Sequence, residues 1–115
     1  MKRTTILIAA PALLLMSGTA WADDTAECLK KSQPLIEAFN TCAVPKVEAR
    51  SKGNEPIADV IQSVIKDCSG PVEEARKLLH VPPCSQDDAQ TETVISGWMD
   101  QAREDMTSHI EELRK

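Results

Sequence analysis

Cys28, Cys42, Cys68 and Cys84 all follow a leader built for export, and that combination limits the fold more than any other feature of the chain. Lys2 and Arg3 supply a positive start. Ile6 to Met16 supply a short apolar run, and Ala20-Trp21-Ala22 fits the small-residue rule for signal peptidase. The expectation is a cleaved signal peptide over 1–22 and a single domain over 23–115. The cysteines then mature in an oxidising compartment, where four of them form two disulfides. The short leader is of bacterial type, which makes the periplasm the expected location. Its apolar run is short for a bilayer span, and no later segment is apolar enough to cross one. No membrane association is expected after cleavage.

Removing 22 of 115 residues leaves 93, a domain small enough that its core needs bracing. Two disulfides at ~2–4 kcal/mol each supply it. The leader holds two of the 13 basic residues and none of the 18 acidic ones, so the mature chain carries a charge of −7. That sign argues against nucleic acid and anionic membranes as partners, and it suits a basic protein partner. Tyrosine is absent, and past the leader Phe39 and Trp98 are the sole aromatic residues, which leaves little to stack on sugars or bases.

The apolar spacing is helical throughout, and no stretch alternates like a strand. The expected fold is all-α, a small bundle of about four helices braced by two disulfides. A first helix starts near Asp23 or Asp24, with Cys28, Leu35, Phe39 and Cys42 on one stripe. Pro34 predicts a kink there, or a fresh start capped by Ser32. Residues 43–56 read as a connector punctuated by Pro45, Gly53 and Pro56. Asn54 is placed to cap a second helix in which Ile57, Val60, Ile61, Val64, Ile65 and Cys68 keep the i, i+3, i+4, i+7 pattern. Ser69-Gly70-Pro71 reads as its stop, with Gly70 in a left-handed cap. Pro71 then opens a third helix carrying Val72, Ala75, Leu78 and Leu79 inward, and Pro82-Pro83 ends it. Ser85 is the expected cap of a last helix with Asp87 and Asp88 in its first turn. Val94, Ile95, Trp98, Ala102, Met106, Ile110 and Leu113 form its apolar face.

Four cysteines allow three pairings. A continuous helix over 28–42 separates Cys28 from Cys42 by ~21 Å, beyond disulfide reach. If the second helix runs antiparallel to the first and the third climbs back, Cys68 meets Cys28 and Cys84 meets Cys42. Cys28–Cys68 with Cys42–Cys84 is therefore the expected frame. The runner-up is Cys28–Cys84 with Cys42–Cys68, a twin-cysteine helical hairpin of C-x13-C and C-x15-C spacing.

Motifs that carry chemistry are scarce. The chain has no C-x-x-C, which removes the usual signature of a thiol oxidoreductase, a zinc knuckle or an attached haem. It has no Gly-rich phosphate loop and no nucleophile elbow. No enzymatic activity, cofactor or metal is expected. His80 reads as a cap at the end of the third helix. His109 with Asp105 and Glu112, and Met99 with Met106, offer potential metal ligands on the last helix, but one helix seldom closes a metal site. The expected function is non-catalytic protein binding by an inhibitor, an immunity-type protector or a small stress chaperone; the alternative is periplasmic metal or small-molecule binding. Met106, Ile110 and Leu113 recur where the chain is expected to outrun its own core, so they are the expected contact for a protein partner or a homodimer.

Overall fold

The computed structural model describes residues 22–115. The signal-peptide expectation therefore lies, apart from Ala22, outside the described residues. Within them the chain forms four helices and no strand: α1 (Ala22–Arg50), α2 (Ile57–Asp67), α3 (Ser69–His80) and α4 (Asp88–Leu113). This is the expected all-α bundle. It measures 47 × 26 × 18 Å, and the 29-residue α1 accounts for most of that length at about 1.5 Å per residue.

Three rods make up the bundle. Two disulfides, Cys28–Cys84 and Cys42–Cys68, join α1 to the chain running through α2 and α3. As the residue number rises from 68 to 84, the partner number falls from 42 to 28, so α2 and α3 together form one rod antiparallel to α1. Contacts between α1 and α4 run in the same order along both helices. Phe39 meets Trp98 edge-on at 5.5 Å, Glu48 meets His109, and the carbonyl of Ser51 accepts from Arg114. Hence α4 is parallel to α1, and the third rod returns to the end where α1 finished.

The expected pairing, Cys28–Cys68 with Cys42–Cys84, is thus overturned in favour of the runner-up. The physical reason lies at Cys68. From the turn after Arg50, α2 descends only ~16 Å, which brings Cys68 level with Cys42 rather than with Cys28. The chain does not reverse at Ser69-Gly70-Pro71. No described glycine has a positive φ, so Gly70 makes no left-handed cap. Pro71 instead sits in the first turn of α3, where its missing N–H is not needed. The rod continues downward and delivers Cys84 to Cys28.

Other local expectations shift by a few residues. α1 runs unbroken through Pro34 and Pro45, absorbing much of the expected 43–56 connector. An interior proline costs about 3 kcal/mol, but both prolines are exposed, as are Lys30 and Thr41, whose carbonyls lose their partners. Water can satisfy those groups, while the opposite face buries Ile36, Phe39, Ala43 and Val47. Ser32 does not cap a new helix; its hydroxyl donates to the Cys28 carbonyl at 2.8 Å. Pro56, not Asn54, occupies the N-cap of α2. At α4 the cap is Asp87 rather than Ser85. Its carboxylate accepts from the Gln90 backbone N–H at 2.8 Å, and the Gln90 side chain accepts from the Asp87 N–H at 3.1 Å, completing a capping box. Ser85 has φ 49°, a left-handed conformation that carries the turn into α4.

The core runs the length of the three rods. Phe39, Val47, Val60, Val64, Ala102, Met106 and Ile110 are fully buried, with Trp98 and Leu79 nearly so. Two disulfides with no free cysteine among the described residues fit an oxidising compartment outside the cytosol. No helix among the described residues is long and apolar enough to cross a membrane.

Candidate functional site

The expected partner contact on the last helix does not exist as a surface. Met106 and Ile110 are at 0% exposure and belong to the core, and of the three residues Leu113 alone is exposed, at 48%. The core reaches further along α4 than the periodicity suggested because α1 is parallel to α4 and extends to Arg50. The last turns of α4 lie against the last turns of α1, where His109 meets Glu48 at 3.3 Å and Arg114 donates to the Ser51 carbonyl at 2.9 Å. A lone exposed leucine is ordinary for a soluble surface.

The potential metal ligands also separate. Glu112 pairs with Lys115 at 3.2 Å, and His109 turns to Glu48 on another helix. Met99 and Met106 are buried. No group of three His, Cys, Asp or Glu side chains among the described residues is placed to hold a metal ion. His80 lies 3.5 Å from Asp88, next to the α4 N-terminus.

What the structure offers instead is a groove of about 400 Å³ between α2 and α4. Ala58, Ile61, Gln62 and Ile65 form its α2 wall, and Arg103 and Thr107 its α4 wall. The local sequence explains the shape. α2 carries two rows of apolar residues: Val60 and Val64 point fully into the core, whereas Ile65 is half-buried at its edge. The facing residues on α4 are polar, so the two helices do not zip closed along that edge. Arg103 is held by Asp100 at 3.2 Å, and the Thr107 hydroxyl donates to the Arg103 carbonyl at 2.7 Å. Sequence periodicity pointed to α2 as amphipathic but gave no sign of the groove, because the groove depends on which α4 face the parallel α1 claims.

A second polar feature lies along the α1–α4 seam. Gln101, Asp105 and His109 follow one another at i+4 spacing on α4. Gln101 donates to Asp105 Oδ1 at 3.2 Å, while Asp105 Oδ2 and Asn40 Oδ1 are buried without a protein hydrogen-bond partner. The Asp105–His109 pair was legible in the sequence as neighbours on one helix face. Its burial was not, since it follows from the register of two distant helices.

The α3–α4 contact is pinned by Arg76. Its Nε donates to Glu92 Oε2 at 2.7 Å, and the same guanidinium pairs with Glu73. The hydrogen bond from Arg76, with help from its charge, holds the Glu92 carboxyl below the usual carboxylate range, and the bonds to Glu92 and Glu73 raise the guanidinium further above its own. A carboxylate whose folded pKa is depressed contributes stability above its unfolded pKa and loses that contribution as pH falls through the folded value. The stability difference between the native protein and Glu92→Gln is therefore expected to be present near neutral pH and to vanish in strong acid. Denaturant midpoints at about pH 7 and about pH 3 check it. The effect is small because the pair is exposed.

No known protein family, curated protein or solved structure matches this chain.

Proposed function

We propose that this chain is an exported periplasmic protein that works by non-catalytic binding to a protein partner, in the manner of an inhibitor, an immunity-type protector or a small stress chaperone. The α2–α4 groove carries the reading. It presents Ala58 and the half-buried Ile65, with the buried Ile61 between them at 5% exposure, on a disulfide-braced scaffold, the kind of rigid, concave surface that accepts an anchor side chain. The occupant we infer is a short apolar segment of a protein, flanked by basic groups. Asp59 and Glu104 stand exposed on the two groove helices, and acidic residues outnumber basic ones 18 to 13 over the chain. Arg103 already engages Asp100, so it does not call for an external carboxylate. The periplasmic location rests on the leader and the oxidised cysteines together.

The test is Gln62→Trp, which fills the groove from an exposed position without touching the core. A partner captured from periplasmic extract by the native protein should bind the variant at least about tenfold more weakly, a loss of ~1.4 kcal/mol. Leu113→Ser should bind normally, and melting should be unchanged in both. A partner held equally by native protein and Gln62→Trp contradicts the groove as the contact. A homodimer that the same substitution dissociates replaces the partner by a second copy of the chain.

A further inference from the structure

The two native disulfides are nested, with Cys42–Cys68 inside the span of Cys28–Cys84. Neither joins the cysteines that an unfolded chain brings together most often. Cys28 and Cys42 are 14 residues apart and Cys68 and Cys84 are 16 apart, whereas the native partners are 26 and 56 apart. Encounter between two points of a flexible chain falls as about the −3/2 power of their separation. Cys28 therefore meets Cys42 about eightfold more often than Cys84, and Cys42 meets Cys28 about 2.5-fold more often than Cys68. Without its bonds so small a domain loses much of its stability, so these statistics govern the first oxidation. No local structure opposes them. Pro34 lies between Cys28 and Cys42 inside α1, and it disfavours that helix until the core has packed.

The folded structure has no place for these short links. Each would join two points of a single rod. The unbroken α1 holds Cys28 and Cys42 ~21 Å apart, and the 12-residue α3 adds ~18 Å between Cys68 and the turn that carries Cys84. A disulfide needs Cα atoms within about 7 Å. A chain closed at Cys28–Cys42 and Cys68–Cys84 thus can build neither α1 nor α3 and has no free thiol with which to rearrange.

We propose that this chain is a substrate of a thiol–disulfide isomerase, and that its maturation needs a partner bearing a nucleophilic thiolate as well as an oxidant. The isomerase thiolate attacks Cys42 Sγ, forming a mixed disulfide as the electron pair of the Cys28–Cys42 bond leaves on Cys28. The Cys28 thiolate attacks Cys84 Sγ, and Cys68 departs as a thiolate. The Cys68 thiolate attacks Cys42 Sγ and releases the isomerase thiolate unchanged. Two bonds have been exchanged for two others with no net oxidation. The inference rests on connectivity and helix geometry and is independent of the proposed binding groove.

The experiment dilutes fully reduced, denatured protein into buffer containing diamide. This oxidant takes two electrons and two protons from each pair of thiols and supplies no thiol. Products are quenched with acid, alkylated and mapped as non-reduced tryptic peptides. Most chains are expected to carry Cys28–Cys42 with Cys68–Cys84. A trace of reduced glutathione should then convert them to Cys28–Cys84 with Cys42–Cys68, and reduced protein disulfide isomerase at the same thiol concentration should do so at least about tenfold faster. Native pairing in most chains directly from diamide, a misbonded chain that glutathione leaves unchanged, or no acceleration by the isomerase would each overturn the proposal.

Discussion

Ile110→Ala should destabilise the protein by ~2–5 kcal/mol, and Leu113→Ser should change its stability by no more than about 0.5 kcal/mol. The two residues are three apart on α4 and looked equivalent by periodicity. Ile110 is at 0% exposure and Leu113 at 48%. Removing the Ile110 side chain beyond Cβ leaves a cavity between parallel helices whose last turns are tied by the His109–Glu48 and Arg114–Ser51 contacts, so little collapse can relieve it. In a domain of this size such a loss lowers the melting temperature by roughly ten degrees or more. Thermal melts of the two variants separate the outcomes. Equal, small effects would mean that the end of α4 is not packed on α1.

That contrast shows where the sequence was readable. The amphipathic pattern of Val60, Ile61 and Val64 was enough to place α2, and Val72, Ala75 and Leu79 to place the buried face of α3, because a short helix with one inner face needs no knowledge of its neighbours. The end of α4 needed such knowledge. Whether Ile110 is a surface or a core residue depends on how far α1 extends, and that turns on Pro45. Its local preference argued for a helix end, but burial of Ala43 and Val47 on the opposite face overrides it. The disulfide frame failed for a related reason. Ser69-Gly70-Pro71 contains the residues of a reversal, yet a proline is equally at home in a helix's first turn. Local chemistry did not decide between the two. The α2–α4 groove was hidden further still, since neither wall has an unusual sequence and only their juxtaposition leaves the gap.

Loss of the covalent frame is the second large effect. Cys28 and Cys84 are 56 residues apart in sequence, and Cys42 and Cys68 are 26 apart. Loop-closure entropy assigns ~4 kcal/mol to the first bond alone and ~3.5 kcal/mol to the second. The loops are nested, so the closed inner link shortens the effective outer loop, and the two contributions are not additive. Complete reduction should still remove several kcal/mol, much of the stability of a domain this small. Replacing Cys28 and Cys84 together by Ala should cost more than replacing Cys42 and Cys68. Denaturant midpoints of the two double variants and of the reduced protein check this; the reverse order would mean that loop length does not set the contribution of each bond.

The register of all three rods, and with it the groove, depends on which cysteines meet. Trypsin separates all four: cleavage sites at Lys30 or Lys31, Lys46, Lys66, Arg76 and Lys77 place each cysteine on its own peptide. Mass mapping of the non-reduced, alkylated digest therefore reads the connectivity directly. The structure predicts one cross-linked pair joining the Cys28 and Cys84 peptides and another joining the Cys42 and Cys68 peptides. Recovery of Cys28 with Cys68 and Cys42 with Cys84 would contradict it, because α3 would then have to reverse at Ser69-Gly70-Pro71 and α4 could not run parallel to α1.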